Sequence, residues 1–218
     1  MWFLLALACG YDDRLLLDIP FFATPTPAAW TLDDGTAIAL TVATVELADV
    51  RLESPADAVA WSFSLLPTAL AHPGHDFAGD VGGELLGTFR VDLLADEVQL
   101  GVGRVYEGDY ATGRVRLTAT PASFAGTVTL PDQTTLPFRF EPTLDREVTE
   151  IDLVGSVDEA APPRRVDLTL DAAAALSFVD WTTSPGADGA LDDADGALSA
   201  TVPFGVAATP AWHISFIE

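Results

Sequence analysis

Apolar and polar residues alternate with a period of two along most of this 218-residue chain, which is the pattern of strands with one face buried and the other wet. At 89–93, Phe89, Val91 and Leu93 fall on one side and Arg90 and Asp92 on the other. At 59–66, Val59, Trp61, Phe63 and Leu65 share one face, with Ser62 and Ser64 opposite. The run 36–52 is long enough for two strands around a bend. Further strands are expected at 98–105, 110–120, 124–130, 136–141, 148–154 and 166–170, with a last one at 211–217. Turn residues separate them, among them Glu107-Gly108-Asp109, Pro131-Asp132 and Ala161-Pro162-Pro163. Short strands punctuated in this way predict an all-β fold, an antiparallel β-sandwich (Ig-like or transthyretin-like) with at most one short helix. That helix is expected at 171–179, where Asp171 can cap the alanine run that follows.

Two stretches lack the alternation. Residues 184–198 are rich in Gly, Ala and Asp and read as a long loop. Residues 23–29 are rich in proline and read as a short spacer. The opening run Met1-Trp2-Phe3-Leu4-Leu5-Ala6-Leu7-Ala8-Cys9-Gly10 ends in small residues and then the sole cysteine. It is far short of the roughly 20 apolar residues a membrane span needs, but its length fits a signal-peptide core of about 7–15 residues. The run resembles the lipobox of bacterial lipoproteins. That resemblance implies cleavage before Cys9 and a lipid on Cys9, and Gly10 after it implies sorting to the outer membrane. The other reading makes Cys9 a buried core residue of an ordinary first strand. The expected organisation is a signal peptide at 1–8, a lipid-anchored tether and first extended segment at 9–29, and a single β-sandwich domain at 30–218.

Composition narrows the function classes. Hydrophobic residues make up 49% of the chain, enough to build a core and exclude intrinsic disorder. The net charge is -23, from 33 acids against 10 basic residues, all of them arginine. Such a surface repels phosphate backbones, so nucleic acid is excluded as a partner. It also repels anionic headgroups, which leaves a lipid on Cys9 as the means of membrane attachment. A field of this sign attracts cations, metal ions included; solubility, or the habits of a salt-tolerant genome, also account for it. With one cysteine there is no internal disulfide, so an exported domain is held by packing alone or by packing plus a metal.

Phe89-Arg90-Val91-Asp92-Leu93-Leu94, then Glu107-Gly108-Asp109-Tyr110 leading into Arg114-Val115-Arg116-Leu117, form a recurring order of strands and turn. Over residues 36–120 this order is similar to exported bacterial β-sandwich lipoproteins, including the periplasmic copper-binding group associated with methanobactin (MbnP-like). The resemblance implies the fold. It carries no ligand residues onto this chain.

The sharpest chemical constellation is His72-Pro73-Gly74-His75. Proline suits the second position of a tight turn and glycine the third, where φ must be positive. The first and fourth Cα atoms of such a turn lie within about 7 Å, so two imidazoles meet at one mouth, half of a copper or zinc site. His213, the third histidine, is expected on the opposite face of the last strand from Trp212, Ile214 and Phe216, and Asp76, Asp80 and Glu84 are candidates to complete a site. The competing reading makes His72 and His75 polar turn residues on an exposed loop. Asp192-Asp193-Ala194-Asp195-Gly196 has the look of a calcium loop, but Leu191 breaks the alternation and no bidentate Glu follows, so a solvated loop is expected. No nucleophile elbow, no His-Glu-x-x-His helix and no phosphate loop occurs, and the expectation is a binding protein rather than an enzyme. The tryptophans are expected in the core rather than on a sugar-stacking platform. The functional expectation is a lipid-anchored cell-envelope protein that binds copper or zinc through His72, His75 and His213. The alternative is a metal-free structural or protein-interaction lipoprotein of the outer membrane, with another envelope protein as partner.

Overall fold

The computed structural model describes residues 15–55, 81–192 and 198–218. Among them are twelve strands: β1 (Leu16–Thr24), β2 (Ala29–Thr31), β3 (Ala37–Glu53), β4 (Val81–Asp92), β5 (Val98–Tyr106), β6 (Gly108–Leu117), β7 (Ser123–Thr129), β8 (Thr135–Phe140), β9 (Glu147–Val157), β10 (Arg165–Leu170), β11 (Leu191–Asp192) and β12 (Trp212–Ile217). Two helices, α1 (Ala172–Leu176) and α2 (Leu198–Val206), and a 3-10 turn at Thr209–Ala211 complete the described elements. All twelve strands join one hydrogen-bonded network, with the order β11-β8-β7-β3-β4-β5-β1-β10-β12, β2 on β3, and β6 between β3 and β9.

β3 organises this network. At 37–44 it pairs with β7 and at 47–53 with β6, both along one edge. The other edge carries β2 and then β4. The expected two strands around a bend are therefore one long strand that changes partners. Its inward residues run Ile38, Leu40, Ala43, Val45, Leu47, Val50 and Leu52, all buried. The spacing is two except at 40–43 and 47–50, where it is three. The register slips at those same places. Each bulge inserts one residue, bends the strand and returns the apolar set to the core face.

The network also curls back on itself. Ile214 and Phe216 of β12 lie where side chains at Gly113 of β6 and Gly155 of β9 would otherwise stand. The Phe216 ring meets Tyr110 edge-on at 5.4 Å. The Tyr110 hydroxyl lies 2.7 Å from the carbonyl oxygens of both Gly82 and Tyr106, tying β6 to the start of β4 and the end of β5.

The expected strand at 59–66 lies outside the described residues; the others are present, and the alternation of buried and exposed residues follows the sequence pattern, as at Phe89–Leu93 and along β12. Several expectations are corrected. The sheet is mixed rather than wholly antiparallel, since β1–β10 and β11–β8 pair in parallel. Period-two patterning specifies which face a residue takes, and strand direction leaves no mark in it. The network also holds β2 and β11, which the sequence pattern does not mark because they are too short to show periodicity. The first extended segment within 9–29 is not all tether: β1 lies between β5 and β10, with Ile19 and Phe21 buried. Pro20 disguises it, because proline within a run argues against a central strand. Here the pairing with β10 begins only at Phe21.

The helix at 171–179 forms as α1, shorter than expected, with Asp171 Oδ1 accepting from the amides of Ala173 and Ala174 at 2.9 and 3.2 Å. A second helix, α2, corrects the limit of one. It holds Pro203 and Gly205, residues that argue against a helix on propensity alone. Packing overrides them. A Cβ on Gly205 would stand 1.9 Å from the Ala175 carbonyl oxygen, so glycine is what lets α2 lie against α1. The segment 184–198, expected as a loop, contains β11, whose Leu191 is fully buried.

Candidate functional site

Cys9, His72, His75, Asp76 and Asp80 lie outside the described residues, and so does Trp61. His213 is on β12, exposed, with Trp212 and Ile214 on either side of it buried. It pairs with Thr169 of β10, which in turn pairs with Thr24 of β1, and the Thr24 and Thr169 hydroxyls share a hydrogen bond. The next row outward is Phe22, Asp167 and Ser215. His213 is thus on a polar face one row from a carboxylate. Among the described residues no three His, Cys, Asp or Glu side chains cluster closely enough to hold a metal ion.

Asp167 is the buried carboxylate of this face, 8% exposed. Arg165 donates from Nη2 to its Oδ2 at 3.1 Å and from Nη1 to Glu97 Oε1 at 2.6 Å. The guanidinium lies 4.9 Å from the centre of the Phe22 ring, a cation–π arrangement that fixes it over the sheet. Burial pushes the Asp167 carboxyl above the usual carboxylate range, and the charge of Arg165 offsets this only in part. The folded chain therefore holds this proton to higher pH than the unfolded chain, and stability falls as pH rises through that window. Asp167→Asn removes the penalty. Its melting temperature is expected to match the wild type at about pH 3, below the ordinary carboxylate range, and to exceed it progressively toward pH 7. A wild type that gains on the variant as pH rises would show that Arg165 outweighs burial.

The second constellation is on the outer face of β3, β4 and β5. Arg51 is in register with Glu84, and Glu84 with Arg104. These three side chains, with Leu86 and Val102, line a cleft of about 500 Å³. Leu86 is 60% exposed and Val102 55%. Glu84, read from the sequence as a possible addition to a histidine site, is flanked by arginines from both neighbouring strands. The row is hidden in the sequence, because its members are 33 and 20 residues apart and only the register brings them together.

The remaining candidates resolve into structure. Trp181 is buried against Phe138 and Phe140, at 5.1 and 5.9 Å between ring centres. Trp212 is buried and donates from Nε1 to the Val206 carbonyl at 2.8 Å. Trp30 is half-buried. In the acidic segment, Asp188 accepts from the Ala190 amide at 3.1 Å, as an Asx turn does. Asp192 is on β11, and residues 193–197 lie outside the description.

No family model, no curated protein and no solved structure matches this chain.

Proposed function

We propose that this chain is an exported protein of the bacterial cell envelope, anchored in the outer membrane by a lipid on Cys9, and a binding module rather than an enzyme. Its ligand is a transition metal, copper or zinc, held by His72 and His75 with His213 as a third ligand. The observation that carries the reading is the spacing His72-Pro73-Gly74-His75, a turn sequence that aims two imidazoles at one point. A chain of net charge -23 concentrates cations at its surface, which favours capture.

β3 ends at Glu53, which pairs with Val81 at the start of β4. Leu52, beside Glu53, is in register with Gly113, and Gly113 is the residue against which Ile214 packs. His213 is on the other face of β12 from Ile214, exposed. The packing of Ile214 and Phe216 on Gly113 and Gly155 supports a sandwich: one coiled network whose last strand, β12, faces β6 and β9 across shared apolar side chains.

The test is elemental analysis of purified protein after loading with copper or zinc, beside fractionation of the cells. One metal per chain is expected in the wild type and none in His72→Ala/His75→Ala. The loaded wild type should melt higher, by about 2.7 kcal/mol of stabilisation at 100 times Kd. Cys9→Ser should move the protein from the membrane to the soluble fraction. Stoichiometric metal that survives the double substitution would place the site elsewhere. A Cys9→Ser protein still bound to membranes would remove the anchor.

A metal-free interaction lipoprotein is the second reading. It is favoured by the aromatic pair Phe178 and Phe204, in edge-to-face contact at 5.2 Å yet 43% and 58% exposed. Exposed aromatic pairs of this kind anchor protein interfaces. Absence of metal after loading, with envelope fractionation intact, favours it.

A further inference from the structure

We propose that the outer face of β3–β6 is a homotypic interface, through which two copies of this chain form a two-fold dimer centred on Leu86 and Val102. The inference is independent of the metal and of the anchor. It begins with an irregular hairpin. β4 and β5 are consecutive strands, yet their ladder holds only Gly83↔Val105 and Glu84↔Arg104. Beyond that point the strands part toward their connecting turn. The gap beneath is filled from within, where the Leu85 and Phe89 side chains reach Gly101. On the outside, Leu86 and Val102 flank the opening, 60% and 55% exposed. Apolar side chains grouped in a cleft and rimmed by charge mark a contact surface.

Charge identifies the occupant. Strands β3 to β6 carry five arginines, Arg51, Arg90, Arg104, Arg114 and Arg116, against six acids, so this face is close to neutral on a chain of net charge -23. Two such chains repel one another over most of their surface. At physiological salt screening acts over about 8 Å, so the local balance of charge decides where two copies can touch. Here the balance is also self-complementary. The row Arg51–Glu84–Arg104 alternates in sign across three strands, and a two-fold axis through the cleft sets each copy's arginines near the other's Glu84, extending the alternation. Isologous contacts require this property, the same patch matching itself. A strongly acidic or strongly basic partner would match only half of it. Strands β6, β3 and β4, at about 4.8 Å spacing and about nine residues long, present roughly 400 Å² of face, and β5 adds to it across the opening. With side-chain relief this is the scale of the roughly 800 Å² per partner found in stable interfaces.

The test uses the full chain carrying Cys9→Ser, which keeps a lipid off, with light scattering after size exclusion and sedimentation from 1 to 200 μM as a check. The expected species at the upper concentrations has twice the 23.0 kDa mass of one chain. Leu86→Asp/Val102→Asp should raise the dissociation constant at least tenfold with an unchanged circular dichroism spectrum, since both side chains are already largely in water. Glu84→Arg should weaken the dimer by placing three cations in one row. Val154→Asp serves as control, because Val154 is 93% exposed on β9, outside the face, and its dimer should match the wild type. A wild type that stays single at every concentration overturns the proposal. So does a dimer that survives the double substitution, or one that Val154→Asp disrupts equally.

Discussion

Gly126→Ala is expected to cost about 4 kcal/mol or more, an exceptional loss for one methyl group. The cause is backbone, which has nowhere to go. A Cβ at Gly126 would stand 2.0 Å from the Ala39 carbonyl oxygen and 3.0 Å from the Leu40 Cα. Gly126 faces the first bulge of β3, where Leu40 is paired with it and Val42 with Ala125. The bulge pushes the β3 backbone toward β7, and only glycine leaves it room. Relief means breaking the ladder between β3 and β7, and with it the re-phasing that keeps Ala43, Val45 and Leu47 inside. In a chain of this size the loss corresponds to a fall in Tm of roughly 8–16 °C. Gly189→Ala is the comparison: nothing lies within 4 Å of its Cβ, and only its φ of +78° resists alanine. That substitution is expected to cost about 1–2 kcal/mol. Thermal melts of the two variants side by side decide the matter, and equal losses would mean that the close approach at Gly126 is not rigid.

Trp181→Ala is expected to cost about 3–5 kcal/mol, the range for deleting a large buried aromatic side chain. The ring is 4% exposed and packs on the faces and edges of Phe138 and Phe140, joining β8 to the segment after α1. Collapse around the void is opposed by the strands on which both phenylalanines are held. Trp181→Phe should be far milder, below about 1.5 kcal/mol. It keeps the aromatic contact and also removes the indole N–H, which is buried with no hydrogen-bond acceptor among the described residues. An unmade bond of that kind costs about 1–3 kcal/mol in the wild type, offsetting the smaller ring. Urea unfolding separates the two variants. A Trp181→Ala chain within 1.5 kcal/mol of the wild type would show that this cluster is not part of the cooperative core.

The candidate sites were legible to different degrees for a physical reason. The proposal for His72-Pro73-Gly74-His75 rests on four adjacent residues alone, all outside the described residues. The outward placement of His213 was legible locally, since it follows from Trp212, Ile214 and Phe216 taking the other face. Arg51, Glu84 and Arg104 form a row only because three strands adopt one register, and nothing near any of them in sequence signals the others. Asp167 is hidden in the same way. Its alternation with Val166 and Leu168 suggests an exposed residue, but the Phe22 ring and Arg165 cover it from neighbouring positions.

By itself the sequence determined that this is a β protein, where most strands run, which side of each is buried, where Asp171 starts a helix, and how acidic the surface is. Each of these depends on residues within one strand or one turn, or on composition, which needs no structure at all. Only the tertiary structure decided that β1 belongs in the middle of the sheet, that β1 and β10 run parallel, that β3 serves four partners, and that Leu198–Val206 is helical despite its proline and glycine. Every backbone offers the same donors and acceptors at the same spacing, so hydrogen bonding alone does not say which strand meets which. That choice falls to contacts between distant residues: Gly126 under Ala39, Gly205 under Ala175, and Ile214 over Gly113.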